Sequence, residues 1–400
     1  MSTTVRPPSP DRALALLGGL TPREFMRRHW QRKPLLVRNA IPRLVPPASR
    51  AELFALATRE DVESRLVRVR NKRDWSLTQG PIARSSFPPL RQPGWTLLVQ
   101  GVDLHRDAAH SLLQQFRFVP DARLDDLMIS WASDGGGVGP HVDSYDVFLL
   151  QARGKRRWRI ARRYDAALHE RAPLKMLRRF AAEEEYVLEP GDLLYLPPSW
   201  AHEGVAVGAD CMTCSIGMRA PQRGALAGEL AQRLAETCDD PALYRDARQP
   251  PTAAPAEIPP TLARFAADAV RRLAADRPLV ERALGEVLSE PKPRVWFTKS
   301  TARWRPRAVA LDRRTRMLYD LRHVFINGEA VPVHGNDATP LRRLANERAL
   351  DAGTVRRASR SVRALLAAWL AAGWLHFDVA AWPRTATPAK GRQPTRQVTP

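Results

Sequence analysis

The sequence predicts an α+β fold in three successive parts. In the first part, short apolar runs with turn residues between them indicate a β-sandwich or small barrel. Next come stretches rich in Ala, Leu, Glu and Arg with helical spacing, joined by a proline-rich loop. In the third part, short apolar runs surround Asn327-Gly328, a strong hairpin signal, and two helical stretches follow. The runs of the first part are 95–99, 127–131, 146–150 and 192–196, and the helical stretches of the second are 222–238 and 260–289.

The same patterns set the predicted boundaries. We expect a first domain at 1–220 with its motif core at 95–217, a helical region at 221–292 and a third domain at 293–384. A basic, proline-containing tail at 385–400 is predicted to be disordered.

Individual elements follow from local signals. Thr21 and Glu24 form a capping box and Pro22 suits a first helical turn, which together predict a helix start. A short strand is expected at 34–37. The third domain is expected to hold strands and two helices. The strands are 295–297, 307–311, 323–326 and 374–379, and the helices are 339–349 and 353–372.

Composition points to a globular protein of the cytoplasm. At about 150 residues per domain, 400 residues correspond to two or three domains, and 44% hydrophobic residues suffice for a sizeable core. No apolar run reaches the roughly 18 residues of a membrane span, and no secretory signal is evident. A small, odd number of cysteines (Cys211, Cys214 and Cys238) suits a reducing compartment.

The chain carries a formal net charge of +21. Such a charge favours a polyanionic neighbourhood, for example RNA. Arginine far outnumbers lysine, however, so a codon bias explains the charge equally well. Both interpretations stay open.

A metal site is the most specific prediction. His141 and Asp143 are two residues apart after a glycine-rich loop, so on a strand their side chains point to the same face. His202 follows a Pro-Gly-Asp turn and an apolar run, which would return the chain to that site. Two histidines and one carboxylate form the facial triad of non-haem iron(II) oxygenases. The other histidines lack such a context and are interpreted as structural: His29, His105, His110, His169, His323, His334 and His376.

From about residue 127 to 217 the chain resembles JmjC-type cupin oxygenases, and most closely the bacterial ribosomal oxygenases that hydroxylate arginine. The resembling segments are 127–130, 135–143, 145–148, 154–158 and 189–204. The resemblance implies a double-stranded β-helix (the cupin/JmjC jelly roll). More weakly, through order and length, it implies a helical dimerisation region, a winged-helix-like C-terminal domain and a homodimer.

The resemblance also implies the cofactors Fe(II), 2-oxoglutarate and O2. A hydroxylation would consume O2 and 2-oxoglutarate and release succinate and CO2. Arg156 and Ser130 match the positions that bind the distal carboxylate of 2-oxoglutarate. Alternation along a strand places Arg156 on the face opposite its basic neighbours, which favours an inward side chain over a solvated basic run.

For the substrate, the resemblance implies the β-carbon of an arginine in a large-subunit ribosomal protein. A guanidinium needs a carboxylate, and Asp134 is the candidate, with Tyr145 flanking the aliphatic stem. The alternative role for Asp134 is to begin the glycine turn. The particular ribosomal protein and residue, the stereochemistry and the oxygen affinity are left open by the sequence.

Other functions use the same motifs. A histidine hydroxylase or an N-methyl-lysine demethylase would need the same metal site. A non-catalytic metal- or RNA-binding cupin is the alternative outside enzymes. DNA regulation by a winged helix ranks low, because the predicted helix at 353–372 is too apolar for a recognition helix.

Overall fold

The computed structural model describes residues 7–70, 74–170 and 172–377. The predicted disordered tail at 385–400 and the end of the third domain lie outside these residues.

One large antiparallel sheet forms the first part. Its strand order is β1-β9-β7-β10-β5-β4-β2-β3, with β6 paired to β10 and β8 paired to β7. The strands are β1 Leu35–Val37, β2 Ser64–Arg70, β3 Asp74–Gln79, β4 Trp95–Val99, β5 Leu124–Ala132, β6 His141–Val142, β7 Val147–Ala161, β8 Glu184–Leu188, β9 Leu193–Leu196 and β10 Ala201–Met218.

The longest strands, β7 and β10, pair along nearly their whole length, with a register shift between Val207 and Met212. Gly154 has φ of 62° at this shift, and a Cβ there would lie 2.9 Å from the carbonyl oxygen of Asp210. Such a bulge bends a strand and increases its twist. Two long bent strands let the sheet curl around an interior cavity.

Three helices accompany this sheet: α1 Pro22–Arg28, α2 Arg50–Ala57 and α3 Asp107–Gln114. The predicted capping box is present, since Thr21 accepts from the Glu24 N–H and Glu24 bonds back to Thr21. Fully buried aromatic side chains, among them Phe25, Phe148 and Tyr195, join helices and strands in one hydrophobic core. This core packs against one face of the sheet, and the other face lines the cavity.

Three helices form the second part: α4 Arg223–Glu236, α5 Pro260–Ala275 and α6 Arg277–Ser289. The third part packs against α6, where Gly285 leaves room for the buried ring of Phe325. In contrast, α5 has no buried residue.

The third part contains two small sheets, β15-β11-β16 and β12-β13-β14. Their strands are β11 Val309–Leu311, β12 Met317–Tyr319, β13 His323–Ile326, β14 Glu329–Pro332, β15 Ala349–Leu350 and β16 Leu375–His376. Its helices are α7 Ala338–Glu347, α8 Ala352–Arg357 and α9 Arg360–Ala371. Asn327 and Gly328 make the predicted turn between β13 and β14.

Two predicted elements of the third part are wrong. Residues 295–297 form no strand, since the carbonyl of Trp296 accepts from Arg314 Nη1 at 2.9 Å rather than from a neighbouring strand. The predicted helix at 353–372 is two helices. Ser359 interrupts it, because its side chain accepts from the Val362 N–H and caps a new helix.

Candidate active site

The curled sheet surrounds a cavity of about 1090 Å³. Its lining comes from strands β2 to β7 and β10, and from the linker 292–294 that follows α6. The structure brings most of the predicted site residues to this cavity. They are His141, Asp143, His202, Arg156, Ser130 and Tyr145.

The three predicted metal ligands converge. His141 on β6 lies directly opposite His202 on β10 in the strand register, and Asp143 follows at the end of β6. One ligand atom from each residue lies within 4.8 Å of the others. His202 Nε2 is 3.6 Å from Asp143 Oδ2. Two imidazole nitrogens and one carboxylate oxygen in this arrangement can hold one divalent iron and leave positions open for other ligands.

Backbone carbonyls orient both imidazoles. Nδ1 of His141 lies 2.9 Å from the Gly139 carbonyl, and Nδ1 of His202 lies 2.9 Å from the Trp200 carbonyl. A neutral ring that donates from Nδ1 presents the lone pair of Nε2 to a metal. Burial and the neighbouring His141 lower the pKa of His202 to about 4, so that it is neutral at physiological pH.

Arg156 is the cation of the cavity. The residue is only 4% exposed, and Nε and Nη2 have no hydrogen-bond partner in the described part of the chain. Its Cζ lies 5.8 Å from the ring centre of Trp158. A buried guanidinium with unused N–H groups is costly, and a carboxylate satisfies two of them at once. The residue therefore fits the distal carboxylate of 2-oxoglutarate, and the predicted alternation of β7 is observed.

Ser130 lies beside the cavity on β5 and is 4% exposed. Its hydroxyl donates to the Thr213 carbonyl over 3.5 Å, which is at the limit of a hydrogen bond. The Thr213 hydroxyl is engaged more closely, with Gln151 Oε1 at 2.9 Å. Ser130 therefore keeps hydrogen-bonding capacity for a ligand, and its cosubstrate role stays a prediction.

Comparison with known proteins agrees with this site. A family model described as a JmjC domain matches residues 111–226, and one described as a ROXA-like winged helix matches 272–376. A solved structure of YcfD, a ribosomal oxygenase from Escherichia coli, superposes with a TM-score of 0.75 at 31% identity, covering 90% of this chain and 98% of that chain. The chain belongs to the ribosomal oxygenase family.

Two further relatives of this ribosomal oxygenase are informative. YcfD in complex with cobalt and 2-oxoglutarate has a TM-score of 0.76 and 30% identity over 90% of this chain and 98% of that chain. The ribosomal protein uL16 3-hydroxylase of Escherichia coli (strain K12) is 39% identical over 238 residues. That match covers 59% of this chain and 63% of the relative, which is less than two thirds of its length.

These findings confirm the predicted family, the α+β fold with a jelly roll and a winged-helix domain, and the metal- and 2-oxoglutarate-dependent oxygenase class. The predicted domain boundaries stay predictions. No helix in the described ranges of this ribosomal oxygenase combines the length and apolarity that a membrane span needs.

On the substrate side, Tyr145 lines the cavity and is 39% exposed, while its role beside the substrate's aliphatic stem stays a prediction. Partial burial and the negative charges of Asp143 and Asp126 raise the pKa of its hydroxyl. The phenol therefore stays protonated next to the ligand Asp143 and offers its ring to a side chain entering from outside.

Asp134 lies apart from the other predicted site residues, and its substrate role stays a prediction. It is exposed, it does not line the cavity, and its Oδ1 accepts from the Gly208 N–H at 2.7 Å. Strand β5 ends at Ala132, and the chain turns at Gly135 with φ of 67°. The carboxylate thus braces the turn against β10, which is the alternative role that the glycine loop had suggested.

The carboxylate that the sequence analysis missed is Asp126. It lies on β5, lines the cavity and is 8% exposed. Its Oδ2 accepts from the Gly101 N–H at 2.8 Å, and burial raises its pKa although Lys292 opposes this. The period of two along β5 places Asp126 on the face of Ser130, so the signal was present in the sequence.

Proposed function

We propose that this ribosomal oxygenase uses Fe(II), 2-oxoglutarate and O2 to hydroxylate the β-carbon of an arginine in a large-subunit ribosomal protein. The observation that carries the proposal is the placement of Asp126 in the cavity of the metal triad and Arg156. The cavity thus offers a cation for 2-oxoglutarate and an anion for the substrate.

Different residues would bind the metal and the cosubstrate. His141, Asp143 and His202 would hold the iron, and Arg156 with Ser130 would bind the distal carboxylate of 2-oxoglutarate. Bound iron would supply the chemistry by which O2, 2-oxoglutarate and a substrate C–H group become C–OH, succinate and CO2. The buried walls exclude water and keep the substrate carbon near the metal.

Asp126 would pair with the substrate guanidinium, and Tyr145 would pack along its aliphatic stem. Because a β-carbon is several bonds from the guanidinium, a carboxylate that fixes the charged end also fixes the distance of the β-carbon from the iron. The relative named for 3-hydroxylation of uL16 supports a ribosomal protein as the substrate.

Other functions fit less well. A histidine hydroxylase would accept a neutral ring and has no use for a buried carboxylate. An N-methyl-lysine demethylase would also need an anion, so a panel of peptides must separate it from the arginine hydroxylase. A non-catalytic cupin would not require the unpartnered N–H groups of Arg156.

We further propose a homodimer formed through the helical region. Apolar side chains of α5 are exposed: 37% for Leu262, 36% for Phe265 and 69% for Val270. A helix with such a face usually covers it with a partner, and a second copy is the partner that the family implies. The cytoplasmic location and proximity to ribosomal RNA stay predictions.

The test is a peptide panel with arginine, histidine or N-methyl-lysine at the same position of one ribosomal-protein sequence. Mass spectrometry after incubation with Fe(II) and 2-oxoglutarate should show a gain of one oxygen on the arginine peptide alone. Demethylation of the methyl-lysine peptide, or oxidation of the histidine peptide, would replace the proposal with that alternative.

A further inference from the structure

The linker after α6 forms part of the active-site wall. Lys292, Pro293 and Arg294 all line the cavity. The side chain of Lys292 is 20% exposed, with Nζ 3.0 Å from Asp125 Oδ1 and 3.5 Å from Asp126 Oδ2. A cation from the helical region therefore contacts the carboxylate that we assign to substrate recognition.

A second buried carboxylate lies close by. Asp103 is 4% exposed, and its Oδ1 accepts from the Leu127 N–H at 2.9 Å. Burial and the charge of Asp126 raise the pKa of Asp103 to about 7, against the opposing charge of Lys292. Each carboxyl accepts from the backbone beside the other, Asp103 from the Leu127 N–H and Asp126 from the Gly101 N–H. Two neighbouring buried carboxyl groups resist ionisation of both at once.

We propose that Lys292 is a positioning residue that places the negative charge on Asp126 rather than on Asp103, and so prepares Asp126 for the substrate cation. This inference rests on the proposed function. Asp103 and Asp126 each accept from one backbone N–H, but among the described residues Lys292 forms an ion pair with Asp126 and not with Asp103. An ammonium beside one carboxylate of a pair favours the ionised form of that carboxylate.

The charged groups that act most strongly on Asp126, among the described residues, are consistent with this role. The negative neighbours are Asp103 and Asp125. The charge of Asp126 also raises the pKa of the Tyr145 hydroxyl. Among cations, Lys292 touches Asp126, whereas Arg219 Nε lies 3.4 Å from Asp125. Without Lys292, the cluster would hold an additional proton at neutral pH and would lose it only at higher pH.

The test uses Lys292→Met, which keeps the length of the side chain and removes the charge. We expect KM for the arginine peptide to rise about tenfold near pH 7 and to return to within about twofold of wild type near pH 9, with kcat little changed. Lys292→Arg should restore wild-type KM. The control is Lys33→Met, an exposed lysine outside the cavity, which should leave the pH profile unchanged.

A readout without turnover separates this inference from the proposed function. Isotope-edited infrared spectroscopy of Asp-labelled protein near pH 7 should show an additional protonated carboxyl in Lys292→Met, which disappears when Asp126→Asn is added. The same rise in KM at every pH, or an unchanged carboxyl spectrum, would overturn the positioning role. Absence of arginine hydroxylation by the wild type would refute the proposed function and, with it, the role of Lys292.

Discussion

The imidazole rings of His141 and His202 lie 4.2 Å apart between centroids, with 56° between their planes. They are direct partners across the β6–β10 strand pair. Neighbouring strands thus fix the spacing of the two rings, and one metal can bind both. The site depends on backbone pairing more than on side-chain flexibility.

Replacing one of these rings should abolish metal binding. For His202→Ala we expect cobalt affinity, measured by calorimetry, to fall at least about 100-fold, since loss of a ligand exceeds the loss from an outer-shell partner. His334→Ala, an exposed histidine outside the cavity, is the control and should bind cobalt as the wild type does. Retained affinity in His202→Ala would show that the metal binds elsewhere.

Arg156→Lys should weaken 2-oxoglutarate binding. Lysine keeps the charge but lacks the planar fork, so we expect KM for 2-oxoglutarate to rise about tenfold or more. Arg157→Lys is the matched control, because Arg157 is exposed on the opposite face of β7 and should change KM less than about twofold. An unchanged KM in Arg156→Lys would mean that the site needs only a positive charge and not the planar guanidinium.

Asp126→Asn and Asp134→Asn form a second pair of matched variants, which tests which carboxylate recognises the substrate. Asp126→Asn should raise KM for the arginine peptide about tenfold or more, because an amide cannot replace a carboxylate opposite a cation. Asp134→Asn should leave it unchanged, since that side chain bonds Gly208 outside the cavity. The reverse pattern, measured by steady-state kinetics, would restore Asp134 as the recognition residue.

The sequence predicted the orientation of site residues wherever the alternation of side chains along a strand determines the face to which they point. Alternation placed Arg156 inward, and the spacing of His141 and Asp143 placed both on one face. Asp134 is four residues after Ser130, so the same alternation would place both side chains on one face. However, β5 ends at Ala132, and the alternation no longer applies beyond it. The strand end is a tertiary feature, so the motif alone could not exclude Asp134.

Contacts from distant parts of the chain could not be predicted. Lys292 reaches Asp126 only because the helical region packs beside the sheet, and no local pattern encodes that contact. Likewise, apolar spacing suggested one helix at 353–372, whereas the cap at Ser359 starts a second. The sequence thus predicted the metal ligands better than the substrate-facing wall.

The packing of α6 should be sensitive to one methyl group. In Gly285→Ala the new Cβ would overlap the ring of Phe325, so we expect the free energy of unfolding to fall by about 1–3 kcal/mol. Gly228→Ala in α4 meets open space and should gain up to about 1 kcal/mol. Denaturant unfolding measures both, and equal behaviour would contradict the packing of α6 on β13.

The dimer proposal is tested on α5. Val270→Asp should convert a dimer into a monomer, because a carboxylate cannot be buried in an apolar interface without a partner. Light scattering gives the mass directly. Arg264→Asp, on the charged face of the same helix, should keep the wild-type mass. A wild type that is monomeric at every concentration would end the proposal.

The most direct measurement is mass spectrometry of large-subunit ribosomal proteins from cells that lack any such oxygenase and express either this chain or its His141→Ala variant. The account predicts one additional oxygen on a single arginine with the wild type and none with the variant. Unmodified ribosomal proteins with both chains, despite 2-oxoglutarate turnover by the purified wild type, would contradict it.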